Sequence, residues 1–504
     1  MERNRVKKRK RNIVVWILTI IVLGLAAGIG THFNAEIDLS KDKVYSLSPV
    51  SKKLLAESTE SIVITYYVSP ALKSFSPLPD RIISFIERYD TIGGPLVESR
   101  TVEVQSGQTN MLIEQLGLIP QTFGSGDGNK QSALSAFSGI VIESTSRMTS
   151  IPFIYDMGGI EYEITSGIKR ILSEEKKQLG IMIADNSRTI EQHYSLLTRF
   201  LLSLYSVQPV RPGTSIPENL DTLIVLGQQD ITPEDADSID AYLRKGGAVL
   251  FCIDPVYVDL DDNLAAEPAS NSALQEMLSR YGVQTEEKLI LDSSMKQLRV
   301  PQAAGNTGET VWRNLGPYPF WISMRQENIH TDHPVTARFQ GLDLLWCSPL
   351  SIHEMPGLSY TVLAQTTADA WLMDRPYQTQ PGEAHNSIRD RAVERGPFPT
   401  AVSVQGKLTE NQDSTTKLVV IGDADSASDL MEYSDSMHNV LFFAGAVNWL
   451  TLEEELLTLL ENNNRTWDLK NGLEQRVRLV LLLNIFIIPL AIILFGVIRS
   501  RRKN

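Results

Sequence analysis

Two long apolar segments without charged residues, one near each end, constrain this 504-residue chain more than any other feature. Residues 13–33 and 479–498 contain no Asp, Glu, Lys or Arg. At a rise of about 1.5 Å per residue, a helix of about 20 residues crosses a hydrocarbon core of roughly 30 Å. Each segment is therefore predicted to form a transmembrane helix.

Basic residues flank both segments on their outer sides, in residues 1–12 and 499–504. Lys and Arg are retained on the cytoplasmic side of a membrane span, so both termini should be cytoplasmic tails. We expect a multi-pass protein of the inner (cytoplasmic) membrane, with a large extracytoplasmic region between the spans. A cleaved signal peptide is the alternative for the first segment, but its apolar run exceeds the usual length of about 7 to 15 residues.

The extracytoplasmic region is strongly acidic. The chain has 47 basic and 60 acidic residues, and 11 of the basic residues and one acidic residue lie in the terminal tails. Residues 34–478 therefore carry a net charge of −23. Such a surface repels polyanions, which argues against a nucleic-acid partner.

Residues 38–175 are predicted to form a thioredoxin-like α/β domain. Ser48 is a helix N-cap with Pro49 at the first helical position, and a βαβ unit follows it. The predicted elements are helices at 49–56, 80–89 and 160–172 and strands at 61–68, 96–104, 138–143 and 149–154.

Residues 176–462 are predicted to form a doubly wound α/β domain with a flavodoxin-like or amidotransferase-like parallel sheet. Continuously apolar strands that alternate with helices indicate a parallel sheet covered on both faces. Residues 292–400 contain many prolines and little periodicity, so they are predicted to be an irregular insertion with short strands, such as one at 360–365. The predicted strands are at 179–185, 223–226, 248–253 and 418–423, and the predicted helices are at 191–205, 233–245 and 438–460.

Signatures of catalysis are absent from the sequence. Gly406-Lys407, the one Gly-Lys pair, is followed by Leu408, whereas a phosphate loop needs Ser or Thr there. Cys252 lacks the flanking glycines of a nucleophile elbow and is interpreted as a core residue. A disulfide between Cys252 and Cys347 remains open. We expect no catalytic residues.

No metal or cofactor site is predicted. His330 and His333 form the only close pair of histidines, and a zinc site needs further ligands at recognisable spacing. Polar residues do follow the predicted parallel strands, at the edge where open α/β sheets bind ligands. Helix capping and turn formation are the alternative roles of these residues. The candidate ligand-binding residues are Asn186, Gln228, Asp254, Asp423 and Asp425.

Within the predicted spans, four residues favour packing against other helices. Gly24 and Gly28 are four residues apart, a spacing that lets two helix backbones approach closely. Asn484 carries an amide that hydrocarbon cannot satisfy, and Pro489 frees a backbone carbonyl. We expect these residues to contact neighbouring membrane helices as well as lipid.

Several short segments resemble the GldG-type auxiliary subunits of ABC-2 transport systems, a family first associated with gliding motility. The resemblance covers essentially the whole chain, and the order of the segments agrees with both spans. The segments are DLS at 38–40, KVYSLS at 43–48, EYEITSGI at 161–168, YLRKGG at 242–247, VIGDADSAS at 420–428, VNWL at 447–450, and Asn484, Pro489 and Gly496 in the second span.

The resemblance implies protein partners and does not imply a catalysed reaction. Members of this family resemble one another in acting beside a separate ABC ATPase subunit and an ABC-2 permease, in systems linked to gliding motility or secretion. We therefore expect a non-enzymatic extracytoplasmic auxiliary subunit without a cofactor, held in the lipid bilayer. The alternative is a free-standing, membrane-anchored envelope protein that binds a ligand or glycan.

Overall fold

The computed structural model describes most residues between Leu47 and Thr451. No helix among the described residues has the length and apolarity needed to cross a membrane. Both predicted spans, 13–33 and 479–498, lie outside the described residues. The described ranges are 47–105, 113, 116–127, 130–154, 157, 159–173, 176–260, 262–304, 309–330, 333–336, 341–382, 389, 394–408, 414–434 and 438–451.

A four-stranded sheet and four helices form the N-terminal layer. The sheet order is β2-β1-β5-β6, with β1 parallel to β2 and each later neighbour antiparallel. The layer contains α1 (Pro49–Glu57), β1 (Ile62–Val68), α2 (Pro70–Phe75), α3 (Leu78–Gly93), β2 (Val97–Glu103), the hairpin β3 (Gln121–Asp127) and β4 (Lys130–Ala136), β5 (Ser138–Glu143), β6 (Met148–Ile151) and α4 (Ile160–Leu172).

The apolar periodicity of the sequence explains this layer. Ile62, Ile64 and Tyr66 alternate along β1 and are all buried, because successive side chains of a strand point to opposite faces. In α3 the buried Ile82 and Ile86 recur at helical spacing against the same core. The predicted parallel pair, strand pair and closing helix are confirmed as elements, whereas the β3–β4 hairpin was not predicted.

A seven-stranded sheet forms the centre of the second layer, in the order β19-β21-β22-β10-β9-β7-β8. Five of its strands are parallel, namely β7, β8, β9, β10 and β22, and numbered along the chain they have the order 2-1-3-4-5, as in flavodoxin-like doubly wound sheets. The strands are β7 (Gln178–Ile183), β8 (Ser206–Val210), β9 (Thr222–Leu226), β10 (Ala248–Cys252), β19 (Leu358–Gln365), β21 (Pro399–Gly406) and β22 (Thr416–Ile421).

Helices cover both faces of this sheet. Neighbouring residues of one strand belong to different cores: Leu250 packs on one face and Phe251 on the other. Helices α5 (Ile190–His193), α6 (Ser195–Leu204) and α9 (His438–Thr451) lie on the side of Leu250, and α7 (Pro233–Arg244) and α8 (Ser272–Arg280) lie on the side of Phe251.

Two predictions of secondary structure need correction. The helix predicted at 191–205 is interrupted at Tyr194, whose φ of −132° is not helical. The stretch 292–400, predicted to be irregular with short strands, also contains the long antiparallel strands β15 and β16, whereas the strand predicted at 360–365 is confirmed as part of β19. Register shifts beside Lys296 and Arg299 break the alternation that would reveal them.

The remaining strands form small antiparallel sheets around the sheet's carboxyl edge and its flank. They are β11 (Val256–Asp259) with β12 (Ala265–Pro268), β13 (Val283–Thr285) with β18 (Leu350–Ile352), β14 (Leu289–Leu291) with β20 (Trp371–Met373), and β15 (Met295–Ala304) with β16 (Glu309–Arg325) and β17 (Gly341–Leu345).

A buried carboxylate joins the first helix of the layer to its last. Glu161 Oε1 accepts hydrogen bonds from the Ser48 backbone N–H and from the Ser51 hydroxyl, both at 2.6 Å. The Ser48 hydroxyl in turn accepts from the Ser51 N–H. A capping box needs an acceptor for the N-cap N–H, and it normally comes from the same helix. Here α4 supplies the acceptor that completes the N-cap of α1.

We predict that Glu161→Ala lowers the local stability of α1 and β1 by about 1 to 3 kcal/mol, because the Ser48 N–H and the Ser51 hydroxyl lose their acceptor in a buried site. Hydrogen exchange of the backbone amides of α1 and β1, followed in the full chain, measures this loss of stability. Glu57→Ala removes an exposed carboxylate at the end of α1 and is the control. Equal exchange in the two variants would contradict the role of Glu161.

Candidate functional site

The carboxyl ends of the parallel strands bring acidic side chains together at one edge of the sheet. Asp185 lies just beyond β7, Asp254 just beyond β10 and Asp423 just beyond β22. Parallel strands place these positions side by side, and open α/β sheets bind ligands at this edge. The parallel register of the strands therefore brings these acidic residues together.

Three carboxyl groups at this edge are almost completely enclosed. Asp254, Asp423 and Asp425 are 5%, 0% and 3% exposed, and one oxygen of each lies within 4.8 Å of the others. Within the residues that the structure describes, these three are the one group of His, Cys, Asp or Glu close enough to hold a metal ion. We call them the aspartate cluster.

Backbone N–H groups satisfy much of the aspartate cluster. Asp423 accepts through Oδ2 from the N–H of Leu345, at 2.6 Å, and through Oδ1 from the N–H of Ser426, at 2.9 Å. Asp254 Oδ1 accepts from the N–H of Ala424 at 2.6 Å. Because Leu345 is the last residue of β17, Asp423 ties the insertion to the central sheet.

Arg188 provides the positive charge beside the cluster. Its Nη1 lies 2.6 Å from Asp425 Oδ1, and its Nε lies 3.2 Å from Asp185 Oδ2. The same Nη1 donates to the Tyr194 hydroxyl at 3.3 Å. Burial alone would lower the pKa of Arg188, but the Asp425 carboxylate offsets it and the pKa is raised. Arg188 therefore stays charged inside the site.

The enclosed carboxyl groups resist ionisation. Burial first, and then the negative charge of Asp425, raise the pKa of Asp254 to about 7. Burial, together with Asp254 and Asp425, raises the pKa of Asp423 well above its usual value. Like charges at this distance in a site of low dielectric constant cannot all ionise. Near neutral pH the cluster therefore retains protons.

The structure brings together three of the five predicted ligand-binding residues. Gln228 is buried beside them, but its side-chain amide donates to the backbone carbonyls of Asp254, at 3.1 Å, and Ala269, at 2.8 Å. Asn186 is exposed, and its backbone N–H donates to Asp230. Whether any of the five binds a ligand remains a prediction.

Sequence reasoning missed Arg188 and Asp185, which complete the site. The signal was available, because several buried carboxylates need a cation to offset their desolvation. Arg188 lies in the polar turn directly after β7, the turn that precedes the first helix on this edge. A search for a cation near the predicted acidic edge would have found it.

Oxygen ligands of this kind suit hard divalent cations such as Mg²⁺ or Ca²⁺. In this structure, however, backbone N–H groups occupy both oxygens of Asp423, and Arg188 pairs with Asp425. Asp423 also holds the short 3-10 turn Asp425–Ala427 through Ser426. The arrangement favours a polar cross-link that fixes the strand ends, which is the turn-forming alternative considered above.

The two cysteines lie in the core beside this edge. Cys252 and Cys347 are free and buried, and burial raises the pKa of both thiols. The prediction that Cys252 is a core residue is confirmed.

His333, of the close pair of histidines, accepts a hydrogen bond from the Val335 N–H, and burial lowers its pKa to about 3.

A family model described as an ABC-type uncharacterized transport system matches residues 176–450, which include the whole seven-stranded sheet. The chain belongs to this family. A domain of unknown function matches residues 41–143. The resemblance to the auxiliary subunits of ABC systems is therefore confirmed, and the chain has a role associated with an ABC transporter.

A protein of Borreliella burgdorferi, described as uncharacterized, is 21% identical to this family member over 487 residues. The alignment covers 93% of each chain. The two proteins are therefore similar along nearly their whole length.

Similar solved structures include ThuA-like proteins. One from Bacteroides uniformis is 12% identical, with a TM-score of 0.30 over 55% of this chain and 93% of its own. One from Parabacteroides merdae is 11% identical, with a TM-score of 0.27 over 55% of this chain and 90% of its own.

We predict that Asp254→Asn flattens the pH dependence of stability. An Asp ordinarily loses its proton near pH 4, but native Asp254 keeps its proton to about pH 7. The native state therefore binds more protons between these values, and its stability falls as pH rises, by at most about 1.4 kcal/mol per pH unit. Thermal unfolding from pH 4.5 to 8 measures the slope.

Asp262→Asn, which removes an exposed carboxylate, is the control. Its stability should depend on pH as steeply as that of the wild type. Parallel profiles for wild type and Asp254→Asn would show that Asp254 is ionised in the native protein across this range.

Proposed function

We propose that this family member is the non-enzymatic, extracytoplasmic auxiliary subunit of an ABC-2-type transporter. The observation that carries the proposal is the match of residues 176–450 to the ABC transport family. A separate permease would form the pathway, and a separate ATPase subunit would supply the energy. The system would serve gliding motility or secretion, as the resemblance to GldG-type proteins implies.

The chemistry of the sheet edge supports a role without catalysis. In the aspartate cluster, Asp423 has both oxygens bound by backbone N–H groups, and Asp425 is paired with Arg188. General acid–base catalysis needs a group within hydrogen-bond reach of a substrate proton. Enclosed groups that already bind one another fit a rigid framework better than a reacting site.

The predicted spans would attach the subunit to its permease. Gly24 and Gly28 would allow a close helix contact, and the amide of Asn484 would find a partner on a neighbouring helix. The acidic domains between the spans would then face substrate or envelope partners on the extracytoplasmic side.

A cavity favours the second candidate, a free-standing envelope protein that binds a ligand or glycan. It has a volume of about 90 Å³ and lies between the two layers, with Arg170, Tyr205 and Asn448 among its lining residues. Such a protein would bind its ligand without the permease. A ligand or glycan that raises the melting temperature of the purified full chain in the absence of the permease would favour this candidate.

We predict that reporter fusions at residues 1 and 504 report a cytoplasmic location and that an insertion at residue 305 reports an extracytoplasmic one. The basic tails at 1–12 and 499–504 are the reason, because Lys and Arg are retained inside. Paired alkaline phosphatase and green fluorescent protein reporters measure the topology. Opposite locations for the two termini would overturn the proposed topology.

We predict that the ABC-2 permease and its ATPase copurify with the wild-type chain from native membranes. Recovery should fall in the double variant Gly24→Ile, Gly28→Ile, because the added side chains block a close helix approach. It should also fall in Asn484→Leu, where an interhelical hydrogen bond of about 0.6 to 2 kcal/mol is lost.

Gly30→Ile adds one isoleucine side chain, which would lie on a different face of the predicted first span, and is the control for the glycine variant. All chains are compared at equal membrane levels. Undiminished recovery in both test variants would assign the attachment to the domains between the spans.

A further inference from the structure

We infer that helix α4 couples the two ends of the described chain, which lead toward the two predicted membrane spans. Glu161, near the start of α4, holds the segment that follows the first span. Arg170, near its end, holds helix α9, which precedes the second. The orientation relative to a membrane rests on the proposed function, whereas the contacts lie wholly among described residues.

A network of enclosed polar groups makes the first contact. Besides the Ser48 N–H, Glu161 binds the Ser51 hydroxyl, which lies 2.8 Å from the Thr165 hydroxyl. The Tyr89 hydroxyl lies 2.8 Å from the same Thr165 oxygen. Glu161 is 6% exposed, and charge-assisted hydrogen bonds in such a site are strong. The segment after the first span is thereby fixed to α4.

Arg170 and Tyr162 make the second contact. Arg170 Nη2 donates to Asn448 Oδ1 at 2.7 Å, and Asn448 Nδ2 lies 3.4 Å from the Tyr162 hydroxyl. Arg170 Nη1 donates to Thr149 Oγ1 at 2.9 Å. The Arg170 guanidinium also lies over the Tyr205 ring, 5.5 Å from its centroid. Arg170 therefore joins the N-terminal layer to both α9 and the end of α6.

The helix between these contacts is held firmly against its sheet. A side chain at Gly167 would place its Cβ 2.6 Å from Ile142 Cδ1, so α4 lies very close to β5. An unbroken helix that packs this tightly moves as one body, since close-packed interiors transmit displacement. A movement of the segment held by Glu161 must then reach Arg170.

The Arg170 contact lies beside a cavity between the two layers. This cavity separates the Ser150 to Phe153 stretch of the N-terminal layer from α9, where Leu441 and Gly445 line it. The Tyr205 hydroxyl beside it is buried and has no hydrogen-bond partner in the described part of the chain. Apolar packing is incomplete here, and the polar bridge from Arg170 to Asn448 connects the two layers at the wall of this cavity.

Three sequence segments that carried the family resemblance meet at α4. They are residues 47–48, which end the first such segment, together with residues 161–168 and 447–450, and they are far apart in the chain. Ser48 donates to Glu161, and the Asn448 amide donates to the Tyr162 hydroxyl. None of the three takes part in the aspartate cluster, and coupling gives the three segments a common role.

A distance measurement in the purified full chain tests the coupling. Spin labels at Lys52→Cys on α1 and Glu234→Cys on α7 occupy exposed positions, one in each layer, while the native Cys252 and Cys347 are buried. The wild-type background should give one narrow distance. Arg170→Gln and Asn448→Leu should each give a longer and broader distribution, because each removes the charge-assisted bridge.

Two further variants control the result. Arg199→Gln removes an exposed arginine of α6 that bonds within its own helix and should leave the distance unchanged. Asn448→Asp keeps the acceptor opposite Arg170 and should preserve the narrow distance, which distinguishes loss of the bridge from general damage at this position.

An unchanged, narrow distance in both Arg170→Gln and Asn448→Leu would overturn the inference. So would equal broadening in Asn448→Asp and Asn448→Leu, since the bridge would then not be the cause. The measurement needs no permease or ATPase. A failure of copurification would count against the proposed function and leave the distance result to decide the coupling.

Discussion

The enclosure of carboxyl groups at the ends of the parallel strands is the constraint on which the central fold depends. Taking several such groups out of water costs several kcal/mol per ion unless cations and hydrogen bonds compensate. Arg188 compensates Asp185 and Asp425, and backbone N–H groups compensate Asp423. Removing one partner of a buried pair costs about 3 to 5 kcal/mol, against a typical total stability of about 5 to 15 kcal/mol. The loops after β7, β10 and β22 are therefore bound to one arrangement.

The same physical device recurs in the N-terminal layer with different partners. Glu161 is enclosed with N–H and hydroxyl donors at the start of α1, where the dipole of that helix favours negative charge. In both layers an enclosed acid joins elements that are distant in sequence. Such polar joints fix the relative positions of the elements that they connect.

Local sequence patterns predicted the elements whose causes are local. The apolar runs predicted β9, β10 and β22, and the helix predicted at 233–245 begins at Pro233 as α7 does. The hairpin of β15 and β16 was missed because its bulges disturb the alternation of side chains. Strand ends predicted Asp254, Asp423 and Asp425, whereas Arg188 enters the site through the path of a turn. The path of this turn depends on tertiary packing, which cannot be inferred from a short stretch of sequence.

The contact that caps α1 spans 113 residues, and the Arg170 bridge to Asn448 spans 278. Contacts this far apart in sequence form late, because the chain between them must first be ordered. As the chain is made from its N-terminus, the segment after the first apolar run stays without its acceptor until α4 has emerged. The bridge to α9 waits for nearly all of the second layer. Biogenesis is thereby ordered: the two ends are joined only after everything between them has folded.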